Sequence, residues 1–304
     1  MNQTKRDPNA IYDRHGNRIR IWVGNDEEEK EIDAKTYNLI FAPGIKYRLP
    51  YLIFKYPKLL ILLTRRNVSD EIKKYLVSNE IINKICYFKI QINNKKIKIN
   101  FNDGFGLLTE ININDQYEAY SSHLKNKIII DAGANVGAFS LYASMLGAKK
   151  VYAFEPVKET YDILVKNIKM NKLENKVIPI NKALGDKNET KTISFMNAGD
   201  GGASLKEERK KGKREEIISI IKLDDFVKEN KIKRVDFIKM DVEGYEENVL
   251  LGAKETIKKW KPILSFSAYH LPTDKERLPK VVLSIRPDYK IKLNKYAEED
   301  FYCE

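Results

Sequence analysis

The chain has 304 residues, 42% of them hydrophobic and 32% charged, the balance of a folded globular protein and not of a disordered or membrane-embedded one. Its formal net charge of +12 favours an acidic partner: nucleic acid, an anionic sugar or a membrane surface. Two cysteines far apart, Cys86 and Cys303, and three histidines exclude a disulfide framework and a zinc finger or ribbon.

Lysines lie along the whole chain with few aromatic residues between them. That distribution reads as solvated faces and speaks against nucleic acid as the partner. The opening residues, MNQTKRDPNA, carry no apolar signal core, and no apolar run reaches the length of a membrane span. The expectation is a cytoplasmic protein.

Residues 1–90 read as an N-terminal α+β accessory region for substrate or partner recognition, with the catalytic domain expected over 91–304. Residues 18–23 alternate like a short strand, and 26–31 form a solvated acidic run. Residues 47–66 are strongly apolar but broken by Pro50 and Pro57. They read as a buried helix or strand pair, with peripheral membrane contact as the alternative. A helix is expected over 70–82, a hairpin over 87–92 and 96–101, an extended segment over 107–113 and a helix over 115–124.

The segment Lys127 to Glu155 organises the rest of the chain. Ile128, Ile129 and Ile130 make an apolar run bounded by charge, which predicts a buried parallel strand. Asp131 ends it, Gly133, Asn135 and Gly137 form a tight turn, and Phe139, Tyr142, Ala143 and Leu146 fall at helical spacing. Val151 to Phe154 predicts a second strand, closed by Glu155. Glycines let backbone approach a ligand, and an acidic residue about twenty positions on, at the end of the second strand, grips ribose hydroxyls. The turn D-x-G-x-N-x-G differs from the pyrophosphate-seating G-x-G-x-x-G. A carboxylate before the turn repels phosphates but suits a cationic nucleoside. The pattern points to S-adenosylmethionine.

Further along, apolar strands alternate with helical patterns, the mark of a doubly wound parallel sheet. Helices are expected at 158–171, 224–230 and 246–260. Strands are expected at 177–183, 191–195, 216–221, 235–242 and 263–267, with a closing pair at 289–293 and 300–303. The basic run 206–214 reads as a surface loop.

In open α/β sheets ligands sit beyond the carboxyl ends of the strands. Asp131, Glu155, Asp241, Glu243 and the Ser267-Tyr269-His270 group occupy those ends. Here the chain resembles the FkbM family of S-adenosylmethionine-dependent methyltransferases. The resemblance rests on DAGANVG at 131–137, VYAFEP at 151–156, KNIKMNKL at 166–173, LDDF at 223–226, VDFIKMDVEGYEENVLLGA at 235–253 and PILSFSAYH at 262–270. It covers roughly residues 95 to 270 and implies a class I methyltransferase fold, Rossmann-like and doubly wound. By position it implies that Asp131, Gly133, Asn135 and Gly137 line the methionine and ribose side of the cofactor. Glu155 would hold the ribose, Pro156 would shape the adenine pocket, Asp186 would lie near the adenine edge, and Asp241 would stand beside the reactive methyl. Where the family commonly carries a carboxylate on the fifth strand, this chain has Ser267.

The resemblance further implies O-methylation of a small-molecule or glycan acceptor, a hydroxyl on a sugar, glycan or glycolipid precursor. A hydroxyl must lose its proton, and His270, followed by Asp241 and Glu243, is the candidate base. Asp241 and Glu243, two apart, also have the spacing of carboxylates that hold Mg²⁺, but no residue is assigned to a metal. Lys239, on a strand, is expected to pair with a carboxylate. The alternatives are an RNA methyltransferase, suggested by charge, and a nucleoside-binding module without catalysis. The oligomeric state is left open.

Overall fold

A computed structural model describes the backbone of five strands within residues 11–100 and then residues 121–304, apart from 197, 200–202, 206–213 and 296–298. The apolar segment 47–66, the helix at 70–82, the extended segment at 107–113 and the basic run through 213 lie outside the described residues. The chain divides into two compact units, 1–105 and 106–304.

In the first unit, β1 (Ile11–Tyr12), β2 (Arg18–Gly24), β3 (Glu29–Ile32), β4 (Tyr87–Ile92) and β5 (Lys95–Asn100) form one antiparallel sheet. The expected hairpin is β4–β5, and β4 also pairs with β2. This hairpin, which straddles the boundary read at residue 90, therefore lies with the N-terminal strands.

The second unit is built on a seven-stranded sheet in the order β14-β15-β13-β12-β6-β7-β8. Its strands are β6 (Ile128–Ala132), β7 (Lys150–Phe154), β8 (Val177–Ile180), β12 (Phe237–Met240), β13 (Ile263–Ser267), β14 (Ile291–Lys295) and β15 (Glu299–Cys303). The five from β8 to β13 run parallel, and β15 enters antiparallel between β13 and β14. This is the Rossmann-like doubly wound sheet expected from the sequence. Its order reverses between β6 and β12, so the crevice for a ligand lies beyond the carboxyl ends of those strands.

Three of the helices are packed into the core. After the four-residue α1 (Ser121–Leu124), α2 (Ala138–Met145) follows β6 and starts at Gly137, with φ 97°. It is buried from Ala138 through Ser144, its apolar residues in the core and its Ser140 hydroxyl turned to Asp131. α3 (Lys158–Met170) buries Thr160, Ile163, Leu164, Asn167 and Ile168, one stripe at three- and four-residue spacing. α7 (Asp274–Ile285) buries Leu278, Val282 and Ile285 against the core.

The structure redraws some expected elements. The third strand is two: β8, and β9 (Ala183–Leu184), which joins β10 (Glu189–Phe195) and β11 (Arg214–Ile221) in a separate three-stranded sheet. The break falls at Asn181, whose side-chain amide donates to the carbonyls of Glu155 and Pro156. After α4 (Leu223–Glu229), the helix expected over 246–260 is α5 (Glu246–Gly252) and α6 (Lys254–Trp260). A Cβ on Gly252 would stand 1.8 Å from the Gly185 carbonyl oxygen, so α5 ends where the chain after β9 crosses it. Among the described residues, no helix is long and apolar enough to cross a membrane.

Candidate functional site

The loop after β6 is held from three sides. Its backbone donates from Gly133 and Ala134 to the Phe154 carbonyl of β7, at 3.1 and 2.8 Å. The N–H of Asn135 donates to Glu155 Oε2 at 3.0 Å, and the N–H of Val157 to Oε1 at 2.9 Å. From α3, the buried Asn167 amide donates to the Val136 carbonyl at 2.8 Å. Gly133, Asn135 and Gly137 all have positive φ, 73°, 50° and 97°. A Cβ at Gly137 would meet Leu164 Cδ1 at 2.6 Å, and one at Gly133 the Asp241 carbonyl oxygen at 1.9 Å. The glycines are there because other backbone and side chains occupy the space a Cβ needs.

Beneath this loop lies a buried ionic pair. Asp131 is fully buried at the end of β6 and accepts from Ser140 Oγ of α2 at 2.6 Å. Lys239 of β12 places Nζ 3.5 Å from Asp131 Oδ1 and donates to the Gly133 carbonyl at 3.0 Å. The expected carboxylate partner of Lys239 is therefore Asp131. Burial pushes the Asp131 carboxyl up, against the opposing pull of Lys239 and Ser140. Burial likewise pushes Glu155 up to about 7, although the Val157 and Asn135 N–H groups and Lys239 favour its charged form.

Next to the loop, across the Gly133–Asp241 contact, stands a second cluster. Glu243 (φ 55°) and Gly244 (φ 93°) are both left-handed, a conformation that costs a non-glycine residue energy. The turn they make brings Glu243 back to the imidazole that Asp241 faces. His270 Nε2 lies 3.6 Å from Asp241 Oδ1 and 3.5 Å from Glu243 Oε1. On its other side, His270 Nδ1 lies 2.9 Å from Glu246 Oε1. Glu246 opens α5, is buried, and also accepts from the N–H groups of Val242 and Gly244. Ser267 Oγ donates to Asp241 Oδ1 at 3.0 Å.

The His270 side chain is 2% exposed, against 19% for Glu243 and 30% for Asp241. The carboxylates thus form the open side of the cluster. Burial pulls the imidazole down, but Glu243, Glu246 and Asp241 outweigh it and push His270 up to about 10. At neutral pH it is an imidazolium between carboxylates. One donor atom from each of Asp241, Glu243 and His270 lies within 4.8 Å of the others.

The structure thus brings together Asp131, Gly133, Asn135, Gly137, Glu155 and Asp241 around the loop after β6. It gathers Asp241, Glu243 and His270 beside it. Pro156 sits in the turn after β7, its carbonyl held by Asn181. Asp186 is not part of either group: its carboxylate accepts from Asn248 of α5 at 2.9 Å. Sequence reasoning gave no role to Ser140, Asn167, Asn181 or Glu246. Glu246 and Asn167 stand inside quoted motifs, but their targets are a histidine and a carbonyl 24 and 31 positions away.

Residues 131–295 match the family described as Methyltransferase FkbM domain. Methyltransferase sdnD from Sordaria araneosa is 29% identical over 175 residues, 45% of this chain and 68% of that protein. Hexuronic acid methyltransferase AglP from Haloferax volcanii is 25% identical over 178 residues, 58% of this chain and 70% of that protein. Among solved structures, Methyltransferase FkbM from Methylobacillus flagellatus KT is 24% identical with a TM-score of 0.43, over 58% of this chain and 43% of that one. The chain spans about two thirds of the two relatives and less than half of the solved structure.

Proposed function

The chain belongs to the FkbM methyltransferase family, and from that premise we propose that it transfers a methyl group from S-adenosylmethionine to a hydroxyl of a sugar or glycan acceptor. The observation that carries the reading is the contact of Gly133 with Asp241: the nucleoside loop and the acidic cluster share one crevice at the sheet's switch point.

The residues fit the cofactor. At Gly133 and Gly137 the loop packs its main chain directly on the Asp241 carbonyl and on Leu164, which holds it in the turn that would seat the nucleoside. Glu155, at the end of β7, is the carboxylate placed to accept from ribose hydroxyls, and each of its oxygens already takes one backbone N–H from the turns that would surround the nucleoside. Lys239 and Asp131 hold the loop from below. Bound there, S-adenosylmethionine would supply a methyl group on a sulfonium, with the neutral thioether as the leaving group when an acceptor oxygen takes the methyl.

The chain's part in transfer is placement and proton removal. Asp241 and Glu243 are the partly open carboxylates at the crevice, and the acceptor's hydroxyl proton passes to this pair. Ser267 fixes Asp241, and Glu246 fixes His270 behind both. The acceptor class is taken from the Haloferax volcanii relative, whose name assigns it hexuronic acid. A net charge of +12 suits an anionic sugar of that kind.

The test is calorimetric titration with S-adenosylmethionine and S-adenosylhomocysteine on wild type and Glu155→Ala, followed by label transfer to uronic-acid glycans. Binding to wild type, at least tenfold weaker in the variant, is expected. A folded wild type that binds neither ligand sinks the proposal, and binding without transfer to any hydroxyl acceptor removes its catalytic half.

A further inference from the structure

We propose that Asp241, Glu243 and His270 form a binding site for one divalent first-row transition-metal ion, which holds and acidifies the acceptor hydroxyl. The purpose of the ion rests on the methyltransferase reading, but its site does not.

The donor set is one imidazole nitrogen and two carboxylates, contributed by the end of β12, the turn after it and the chain after β13. Around a single ion, ligands bound at about 2.0–2.2 Å stand roughly 3.0–3.5 Å apart. Nε2 of His270 lies 3.5 and 3.6 Å from its two carboxylate oxygens, so these pairs are already near the edges of a coordination polyhedron.

The surroundings are those of a ligating histidine. Such a residue donates its other ring nitrogen to a carboxylate, which fixes the ring and its tautomer. Here the buried Glu246 takes Nδ1 at 2.9 Å and leaves Nε2 as the atom facing Asp241 and Glu243, so that a bound ion takes the place of the Nε2 proton. Ser267 orients Asp241 in the same way. A cation also balances three carboxylates gathered round one imidazole.

Burial falls off in one direction, from His270 to Asp241. Three protein donors with an open side leave positions for substrate, which is how catalytic and structural sites differ. A mixed imidazole and carboxylate set suits Mn²⁺, Fe²⁺, Co²⁺ or Zn²⁺, whereas Mg²⁺ and Ca²⁺ favour oxygen alone. On such an ion an acceptor hydroxyl loses its proton to solvent or to a neighbouring carboxylate near neutral pH. Its oxygen then forms the new C–O bond as the methyl's C–S bond breaks, the pair remaining on sulfur.

The experiment is Mn²⁺ titration of the chelator-treated full chain, read by the electron paramagnetic resonance of free Mn²⁺, with Zn²⁺ as competitor. One ion per chain is expected in wild type, with affinity at least tenfold weaker in His270→Ala and Glu243→Gln. Glu243→Gln keeps the test decisive if His270→Ala does not fold. Wild type leaving all Mn²⁺ and Zn²⁺ free, or both variants binding like wild type, overturns the site. S-adenosylhomocysteine titration of the same samples separates the two proposals: donor bound without metal removes only the ion, and metal bound without donor removes only the methyltransferase reading.

Discussion

A Cβ on Gly133 would stand 1.9 Å from the carbonyl oxygen of Asp241, so the loop after β6 rests on the backbone of the residue that closes β12. The Asp241 N–H in turn donates to the Ala132 carbonyl at 3.1 Å, continuing the β6–β12 ladder to the edge of the crevice. Neither strand end can shift without the other. The loop after β6 and the Asp241 carboxylate are therefore registered by main chain, where no rotamer can loosen them.

Gly133→Ala tests that contact against a control. Gly147 also has a left-handed backbone, φ +96°, but a Cβ there meets only Lys125 Cγ at 3.5 Å. Gly147→Ala should cost about 1 kcal/mol from backbone strain alone. Gly133→Ala adds a collision with backbone and should cost roughly 2–4 kcal/mol, with loss of donor binding. Denaturant unfolding of both variants decides it, and equal midpoints would mean that the contact is not tight.

The Glu155 carboxyl makes stability pH-dependent. Its folded value of about 7 lies above the ordinary 4.5, so the folded chain binds this proton more tightly than the unfolded chain does. The stabilisation is fully present below pH 4.5 and is lost as pH rises to about 7, by roughly 3 kcal/mol. In Glu155→Gln that component should vanish. The stability difference, variant minus wild type, should grow between pH 4.5 and 7 and then level off, as measured by urea titrations across the range. A difference independent of pH would show Glu155 ionised throughout. Donor affinity in wild type should rise over the same window, because the ionised carboxylate is the better acceptor for ribose hydroxyls.

The loop half of the candidate site was legible because it is local. Ile128 to Glu155 carries a strand, a glycine turn, a helix and a second strand in one stretch, each with its own periodicity. The acidic cluster was legible as strand ends but not as a cluster. The sequence places Glu246 at the start of a helix, and nothing in it says that this carboxylate turns back to His270. Nor does intrinsic pKa anticipate an imidazolium, since that follows from three carboxylates converging on one ring. Helix α7 was missed because Pro279 interrupts it, and proline usually ends a helix. Its buried Leu278, Val282 and Ile285 keep the helical stripe across the proline, so tertiary packing outweighed the local cost. Asp186, expected near the adenine edge from the resemblance, accepts from Asn248 of α5, a contact 62 positions away that no local pattern announces.

Lys239→Met should be among the most destabilising single substitutions in this domain. It leaves Asp131, fully buried, without its cation and removes the donor to the Gly133 carbonyl. Breaking a buried pair from one side costs about 3–5 kcal/mol. Adding Asp131→Asn removes the stranded charge and should recover part of that loss. If the double variant is no more stable than Lys239→Met alone, the two residues are not coupled.

Ser267 ends β13, and its hydroxyl donates to Asp241 Oδ1. A donor at that place orients Asp241, whereas a second carboxylate would repel it. Ser267→Ala should therefore leave S-adenosylhomocysteine affinity unchanged within about twofold while slowing transfer about tenfold, the worth of one hydrogen bond to a charged group. Ser267→Asp places like charges about 3 Å apart and should lower stability unless a cation lies between them. Adding Mn²⁺ to Ser267→Asp should then raise its melting temperature more than it raises that of wild type. A melting temperature indifferent to Mn²⁺ in both proteins would leave the serine as an orienting donor and take the ion away.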